Sequence, residues 1–296
     1  MTVTEFVRLY RNSGCYVITI GDHYFNQQGL INYSFPNLVK VPITDNLVKS
    51  IKWKYLVSVL FTELRRKNTY EFILHTSDYS IDKFAKKTRN RIRKSLQNCT
   101  FKRPDLEDML TYGLAINQQT FKRQNKKDKT LTVTGQWNKY ITALFTQKNI
   151  NILGAYYAGR MVGYIIVTEL EEKYIINHAF IDRNDSETTD PMNGLLYTMV
   201  SHLIEKDGSV NISFGLDSFE ELHELNRFKN NMLFERIPGS RVYILHPLLL
   251  PLIKLIIFYN LHLLKRKSIK NSFTRKVIRL YQGYRMFFRE GKASLV

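Results

Sequence analysis

The highest density of chemically active side chains lies in the segment FAKKTRNRIRKS, residues 84–95, with six Lys or Arg and no acid. Phe84, Thr88, Ile92 and Leu96 recur every four positions, which predicts a helix with a narrow buried stripe and a wide cationic surface. On such a helix Arg89 and Arg93 lie one turn apart and suit a bidentate phosphate contact, and Arg91 lies between them. The segment indicates either a phosphate-binding helix or a solvated basic face.

Two further segments hold groups able to take part in catalysis. His178 in INHAF interrupts an apolar strand, where a histidine is either a hydrogen-bonded core residue or a catalytic or substrate contact. In NRFKNN, Phe228 and Lys229 by themselves read as a helix end with a buried ring and a solvated cation. The two cysteines form no metal-binding pattern and are read as reduced thiols of a cytosolic protein, and we expect no metal.

The positive charge is unevenly distributed along the chain. The net charge is +18, and residues 83–103 carry nine Lys or Arg with no acid. Residues 248–296 carry eleven Lys or Arg against a single Glu, so the rest of the chain is close to neutral. Local basicity of this kind indicates binding of polyanions, and nucleic acid, phosphorylated small molecules and anionic membrane surfaces all fit.

Hydrophobic periodicity predicts a mixed α/β fold. Helical periods are seen at 45–67 and in two segments after residue 104, and three strands follow within 150–182. A helix, a strand, a helix and a last strand then lead to Pro247. We predict three consecutive parts: residues 1–103 ending in the cationic helix, residues 104–247, and a helical tail at 248–296.

The tail begins with PLLLPLIKLIIFYNLHLL, which is apolar nearly all round, and continues into a basic, aromatic helix. About 18 residues of helix span roughly 27 Å, which is marginal for a hydrocarbon core of about 30 Å. Three alternatives therefore stay open for residues 247–264: a helix docked on the domain or in a dimer interface, an interfacial membrane anchor with a polybasic flank, and a single membrane span, which the two prolines and the lysine disfavour. The N-terminus has no apolar segment typical of a secretory signal, so we expect a cytoplasmic location.

The series GAYYAGRMVGYIIV, KYIINHAF, PMNGLLYTMVSHLIEKDG, VNISFG and LNRFKNNMLFERIPGSRVYILHP resembles the GNAT acyltransferase fold in its FemAB-like branch. The preceding KKTRNRIRKS resembles a basic helix common in that branch, and the resemblance runs from about residue 50 to 247. It implies two GNAT-like halves with mixed sheets flanked by helices, and acyl transfer to an amine. The branch includes the peptidyltransferases that add amino acids to peptidoglycan precursors.

The resemblance also implies roles for individual residues. Phe228 and Lys229 correspond to the "FK" step at the reaction centre of Fem-type enzymes, where the lysine can stabilise an oxyanion and the ring can position the acyl group. The resemblance places the candidates for general base and substrate binding on converging segments. They are His178, Asp217, Glu220, Glu221 and, for substrate contact, Asn226.

The donor stays open at this point. Acetyl-CoA-dependent relatives usually hold the pyrophosphate with an R/Q-x-x-G-x-G/A loop before a helix, whereas this chain has DRNDSETTDPMNGLLY. Asn193 and Gly194 stand near the expected place, and backbone N–H groups at that helix start can bind a phosphate. Some members of the branch use aminoacyl-tRNA, so the resemblance implies acyl-CoA or aminoacyl-tRNA as donor.

These observations lead to one main functional hypothesis and two alternatives. The main one is a FemAB-like transferase that acts on an amine of a phosphorylated sugar or lipid-linked envelope precursor at the inner face of the cell membrane. One alternative is an acetyl-CoA-dependent N-acetyltransferase that acts on an amino sugar of a surface polysaccharide. The other is a non-enzymatic GNAT-like scaffold that binds RNA, such as tRNA, or membrane through its basic segments.

Overall fold

The computed structural model describes residues 1–28, 31–218, 222–264 and 272–288. A π-helical turn at Met109–Gly113 joins the fourth and fifth helices, and a 3-10 turn at Ile81–Lys83 precedes the third. In chain order the helices are α1 (Val3–Asn12), α2 (Asp45–Lys52), α3 (Lys86–Asn98), α4 (Leu106–Asp108), α5 (Leu114–Arg123), α6 (Lys129–Thr132), α7 (Thr134–Phe145), α8 (Ser186–Thr189), α9 (Pro191–Asp207), α10 (His223–Asn231), α11 (Leu249–Leu264) and α12 (Ser272–Met286).

The strands form mixed sheets, which confirms the α/β class. In chain order they are β1 (Val17–Ile20), β2 (His23–Gln28), β3 (Ile31–Ser34), β4 (Val57–Thr62), β5 (Thr69–Thr76), β6 (Thr100–Lys102), β7 (Ile150–Tyr157), β8 (Arg160–Leu170), β9 (Lys173–Ile181), β10 (Val210–Leu216) and β11 (Glu235–Leu245). The chain divides into two compact units, each made of discontinuous segments.

The first unit comprises residues 1–15, 72–215 and 224–235. Its strands lie in the order β5-β10-β9-β8-β7-β6, with β10 parallel to β9 and the pairs from β9 to β6 antiparallel. One apolar core joins this sheet to α3 and α9, and a second joins it to α5 and α7. The sheet is therefore covered by helices, as the near-continuous apolar sequence of β8 requires.

The second unit comprises residues 16–71, 216–223 and 236–296. Its strands lie in the order β1-β2-β3-β4-β11, in which β3 and β4 are parallel and the other pairs antiparallel. The predicted boundary at 103/104 lies inside the first unit, and the predicted boundary at 247/248 lies inside the second. A linear sequence pattern does not reveal such an arrangement, because it depends on which distant strands pair.

One predicted element is wrong. The helical period at 45–67 ends at Lys52, and the chain continues as the fully buried strand β4. Segment YLVSVLFT is apolar on both faces and rich in β-branched residues, so its apolar positions fit a helical period and a buried strand equally well. The short strands β2 and β3 were not predicted at all, because their polar sequences HYFNQQ and INYS show little alternation.

The described part of the tail packs on the second unit. Ile253 of α11 is buried in a cluster with Val57, Val59 and Leu245, and Met286 joins a separate cluster with Leu60 and Phe25. Packing against the strands of the second unit is therefore one role of the tail. Among the described residues no helix is long and apolar enough to cross a membrane.

Two local features of the first unit depart from regular strand geometry. The turn between β7 and β8 places Ala158 and Gly159 at φ of 49° and 78°, the left-handed conformation that a tight hairpin needs. In β9, the pairing with β8 shifts between Ile176 and His178, so that Asn177 is an extra residue in the strand. Such a bulge changes the direction of neighbouring side chains and is common beside functional sites.

Candidate functional site

A cleft of about 860 Å³ lies entirely within the first unit. Residues of α3, the end of α5, the bulged part of β9, the start of α9, β10 and α10 line it. Of the residues predicted from the sequence, the cleft brings together Arg91, His178, Asn193, Phe228 and Lys229. A concave site with convergent polar groups is the usual place for ligand binding.

Lys229 lies in the wall of this cleft and is only 4% exposed. Its Nζ donates a hydrogen bond of 2.9 Å to the backbone carbonyl of Phe214. The same Nζ lies 4.4 Å from the ring centroid of Phe72 and 4.8 Å from that of Phe214. Two aromatic faces and a carbonyl oxygen stabilise a positive charge that has lost most of its water. The lysine is thus held in place, in contrast to the solvated cation that the sequence alone suggested.

Phe228 precedes Lys229 on α10 and is half-buried at the cleft wall. Its ring contacts that of Phe214 edge to face, with the centroids 6.4 Å apart and the planes at 85°. Consecutive helical residues point in different directions, yet both reach the cleft. An apolar ring and a fixed ammonium group therefore lie side by side at one wall.

His178 is connected to the interior of the unit by a chain of hydrogen bonds. Its Nε2 lies 2.8 Å from the hydroxyl of Tyr140, which lies 3.2 Å from the hydroxyl of Tyr10. Asn177, the bulge residue, donates its amide N–H to the Tyr10 hydroxyl at 3.1 Å, and its amide oxygen accepts from Thr168 at 2.6 Å. The bulge thus places two adjacent residues of β9 in one network.

The contact with Tyr140 occupies Nε2 of His178, and the tautomer of the ring sets which of the two groups donates. Either tyrosine hydroxyl can likewise be the donor in the contact between Tyr10 and Tyr140. Burial lowers the pKa of His178 to about 4 and raises that of Tyr140 well above its usual value. At neutral pH the histidine is therefore uncharged, and its contact with Tyr140 does not use Nδ1.

Cations outnumber acids around the cleft. Asp190, at the start of α9, is its acidic lining residue, and it pairs with Lys94 at 3.4 Å and with Arg91 at 3.9 Å. Asp190 holds a left-handed backbone with φ of 47°, which is costly for a residue with a side chain. Its carboxylate makes no capping hydrogen bond to the helix, so it faces the basic helix instead.

Arg123 and Arg183 are cleft cations that the sequence analysis missed. Arg123 ends α5 and Arg183 follows β9, and both line the cleft. Burial, and then the positive charge of Arg183, lower the pKa of Arg123. The acids beside Arg183 in the sequence, Asp182 and Asp185, are both bound by Arg160. Two like charges brought together in a cleft are unfavourable by themselves and become favourable when an anion binds between them.

The sequence gives little indication that Arg123 and Arg183 belong to a binding site. Each lies at the end of an element where a solvated cation is common, and sixty residues separate them. Only the packing of α5 beside the end of β9 brings them to one surface, through the hydrogen bond from the Arg183 N–H to the Gln119 side chain at 3.2 Å.

The other predicted residues lie outside the cleft lining. Arg89 pairs with Asp82 at 3.4 Å, and Arg93 is exposed on α3. Asn226 is half-buried on α10, and Glu220 and Glu221 are outside the described residues. The roles predicted for these residues stay predictions.

Two more predicted residues also lie outside the cleft lining and make contacts within the fold, and the role predicted for Asp217 stays a prediction. Asp217 belongs to the second unit, where its carboxylate accepts from the Thr69 hydroxyl and lies 3.9 Å from Arg241. Gly194 is buried where α9 crosses α3, and a Cβ there would lie 2.4 Å from the hydroxyl oxygen of Ser95. Glycine at 194 is therefore explained by helix packing, and its predicted contact with a donor phosphate stays a prediction.

No protein-family model and no curated protein matches the sequence. The structure is similar to the crystal structure of FemX, with a TM-score of 0.55 and 10% identity over 86% of this chain and 93% of that one. It is similar to L-PGS from Bacillus licheniformis, with a TM-score of 0.54 and 14% identity over 89% and 97%. It is also similar to the C-terminal domain of a putative lysylphosphatidylglycerol synthetase from Agrobacterium fabrum, with a TM-score of 0.54 and 11% identity over 81% and 89%. The chain thus shares the fold of FemX and of these two proteins, as the resemblance to the FemAB-like branch predicted.

Proposed function

We propose that the protein transfers an acyl or aminoacyl group to an amine of a phosphorylated cell-envelope precursor. The observation that carries this proposal is the fixed ammonium group of Lys229 beside Phe228 at the wall of a cationic cleft. The FemAB-like GNAT fold supports the same reaction class, since FemX and the lysylphosphatidylglycerol synthetase domain share it.

In this reaction the amine nitrogen attacks the carbonyl carbon of the donor. A C–N bond forms, the ester C–O or thioester C–S bond breaks, and one amine proton goes to the leaving oxygen or sulfur. Lys229 stabilises the negative charge that develops on the carbonyl oxygen, and Phe228 packs against the acyl group. A positive charge held in advance by Phe214 and Phe72 needs little reorganisation during the reaction.

His178 in this scheme contacts the substrate through Nδ1, because Tyr140 occupies Nε2. With the ring proton on Nδ1 the imidazole donates to a carbonyl or hydroxyl oxygen of the substrate, and with the proton on Nε2 it accepts from an N–H or O–H group of the substrate. The general base is not assigned to a residue.

The cations of the cleft bind the phosphate groups of the substrate. Among the residues that the structure describes, Arg91, Lys94, Arg123 and Arg183 line the cleft together with one carboxylate, that of Asp190. An electropositive cleft of this kind attracts polyanions and raises their local concentration. A nucleotide- or lipid-linked precursor has such phosphates, and so do aminoacyl-tRNA and acyl-CoA.

Lys229→Met tests the proposal, because methionine keeps most of the side-chain volume and removes the charge. We expect transfer to a nucleotide-linked precursor with a free amine to fall by about 100-fold or more, as for the loss of an oxyanion-stabilising group. Lys148→Met, an exposed lysine after α7, is the matched control and should retain full activity. Circular dichroism of both variants checks that the fold is intact.

The donor is decided in the same assay by offering aminoacyl-tRNA and acetyl-CoA separately at about 150 mM salt, where nonspecific phosphate contacts are weak. Transfer from aminoacyl-tRNA alone supports the peptidyltransferase. Transfer from acetyl-CoA alone identifies an N-acetyltransferase. If a folded Lys229→Met variant keeps wild-type turnover with either donor, the assignment of Lys229 is wrong. If wild type transfers from neither donor yet binds the precursor, the protein is a binding scaffold.

A further inference from the structure

The start of α11 has an apolar face that the second unit does not cover. Leu249, Leu250 and Ile253 pack onto the core of that unit. Leu248, Leu252 and Leu255 are 78%, 52% and 52% exposed, and their spacing of four and three residues places them on one helical face. A helix with one docked and one exposed apolar face explains why the sequence is apolar nearly all round.

A tryptophan from a distant part of the chain joins this face. Trp53 follows α2 and is 65% exposed. Its ring lies edge to face on that of His246, with the centroids 5.5 Å apart, and Nδ1 of His246 accepts from the N–H of Leu248 at 3.3 Å. Trp53 and Leu248 therefore flank the same histidine. We call Trp53, Leu248, Leu252 and Leu255 the apolar patch.

The surroundings of the apolar patch are basic. Segments 46–56 and 246–264, which supply the patch, contain no Asp or Glu. They contain four lysines, of which Lys49, Lys54 and Lys254 are exposed and Lys52 is half-buried. Large apolar side chains beside cations, without acids, match the chemistry of an anionic lipid surface.

We propose that the apolar patch binds the surface of an anionic lipid bilayer. The leucines enter the boundary between headgroups and acyl chains, Trp53 lies at headgroup level, and the lysines contact lipid phosphates. The described part of α11 lies on the surface in this arrangement, since it is not long enough to cross the bilayer. This interaction is independent of the proposed reaction, because it uses residues of the second unit alone.

Tryptophan fluorescence can report the interaction of the apolar patch with lipid. Of its two tryptophans, Trp137 is fully buried and donates its indole N–H to the carbonyl of Met109 at 2.8 Å, so lipid leaves it unchanged. A change in tryptophan fluorescence on adding vesicles therefore reports Trp53. With vesicles of phosphatidylcholine and about 30% phosphatidylglycerol we expect a shift to shorter wavelength and co-sedimentation of the protein. Pure phosphatidylcholine vesicles should bind at least about tenfold more weakly, because the lysines then lose their partners.

Substitutions distinguish binding through the apolar patch from nonspecific hydrophobic binding to vesicles. Leu252→Ser with Leu255→Ser should weaken binding to the anionic vesicles by at least about tenfold, because both leucines leave the lipid. Ile237→Ser is the control, because Ile237 is an apolar residue of the second unit that is 42% exposed and lies outside the patch, and this variant should bind like wild type. Both variants change exposed side chains and are expected to fold.

Three outcomes would overturn the proposal. The first is equal vesicle binding by the double-serine variant and the Ile237→Ser control. The second is binding without any change in Trp53 fluorescence. The third is a concentration-dependent dimer that the double-serine variant abolishes while wild type ignores the vesicles, which would make a second copy of the chain the partner of the patch.

Discussion

At the scale of single residues, the cleft depends on groups held in one state by their neighbours. Lys229 stays in place because a carbonyl and two rings hold its ammonium group. His178 stays neutral because it is buried and bonded to Tyr140. Both residues were named from the sequence, but their states follow from contacts with residues far away in the chain.

Tyr140→Phe should change the tautomer of His178. The variant removes the hydroxyl that is hydrogen-bonded to Nε2, so the tautomer that this contact stabilises loses its advantage. In ¹⁵N NMR at pH 7 we expect one protonated ring nitrogen in wild type and a shift toward the other tautomer in the variant. Identical tautomer populations in the two proteins would contradict this role of Tyr140.

The lowered pKa of His178 makes the free energy of unfolding depend on pH. An unfolded histidine titrates near 6.5, and His178 in the folded protein titrates at about 4. Between these values the unfolded state binds more protons, so the free energy of unfolding falls as pH drops, by on the order of 2 kcal/mol from this group. Urea unfolding at pH 7 and 4 should therefore show a smaller loss for His178→Gln than for wild type, since glutamine does not titrate.

At the scale of elements, the contact of α3 with α9 positions the basic helix. Thr88, Ile92 and Ser95 of α3 are buried, and Gly194 lets the helices approach closely. The four-residue stripe predicted from the sequence therefore exists, except that its last member is Ser95, whereas Leu96 is 39% exposed. This contact brings Arg91 and Lys94 to Asp190.

Gly194→Ala should destabilise the first unit. The new Cβ would lie 2.3 Å from a ring carbon of Phe101 and 2.9 Å from the Cβ of Ser95, so packed atoms must move. We expect a loss of about 1–3 kcal/mol in the free energy of unfolding, measured in urea. Gly135→Ala is the control, because Gly135 is exposed in α7 and has no atom within 4 Å of the added Cβ. That change should be neutral or slightly stabilising, and equal losses in both variants would contradict the packing role.

At the scale of the whole molecule, charge is concentrated in two places in the sequence, but the cleft draws on more of the chain. Arg91 and Lys94 belong to the basic segment 83–103, whereas Arg123 and Arg183 come from outside both basic segments. The second basic segment, 248–296, lies in the second unit with the apolar patch.

Arg123→Gln with Arg183→Gln should weaken binding of the nucleotide-linked precursor by about tenfold or more, because each arginine contributes a charge-assisted contact to phosphate. The dependence of affinity on salt should also become shallower. Lys122→Gln removes the same charge from an exposed position next to Arg123 and is expected to have little effect. Calorimetric titration at two salt concentrations measures both quantities, and equal affinities for the double variant and the control would exclude these arginines from the site.

Local sequence determined a large share of this protein. The α/β class, the three antiparallel strands β7 to β9, the basic helix and the step Phe228-Lys229 could all be read from periodicity, composition and motif, because each depends on neighbours within a few residues. The GNAT-like series of motifs likewise predicted the fold.

Tertiary structure decided the rest. It joined Arg123 to Arg183, His178 to Tyr140 and Tyr10, and Trp53 to His246. In the structure YLVSVLFT contains the strand β4, and Asp217 belongs to the second unit, whereas the cleft lies in the first. The physical reason is the same in each case: these contacts join residues far apart in the chain, and their energy comes from pairing and burial that no local window of sequence contains.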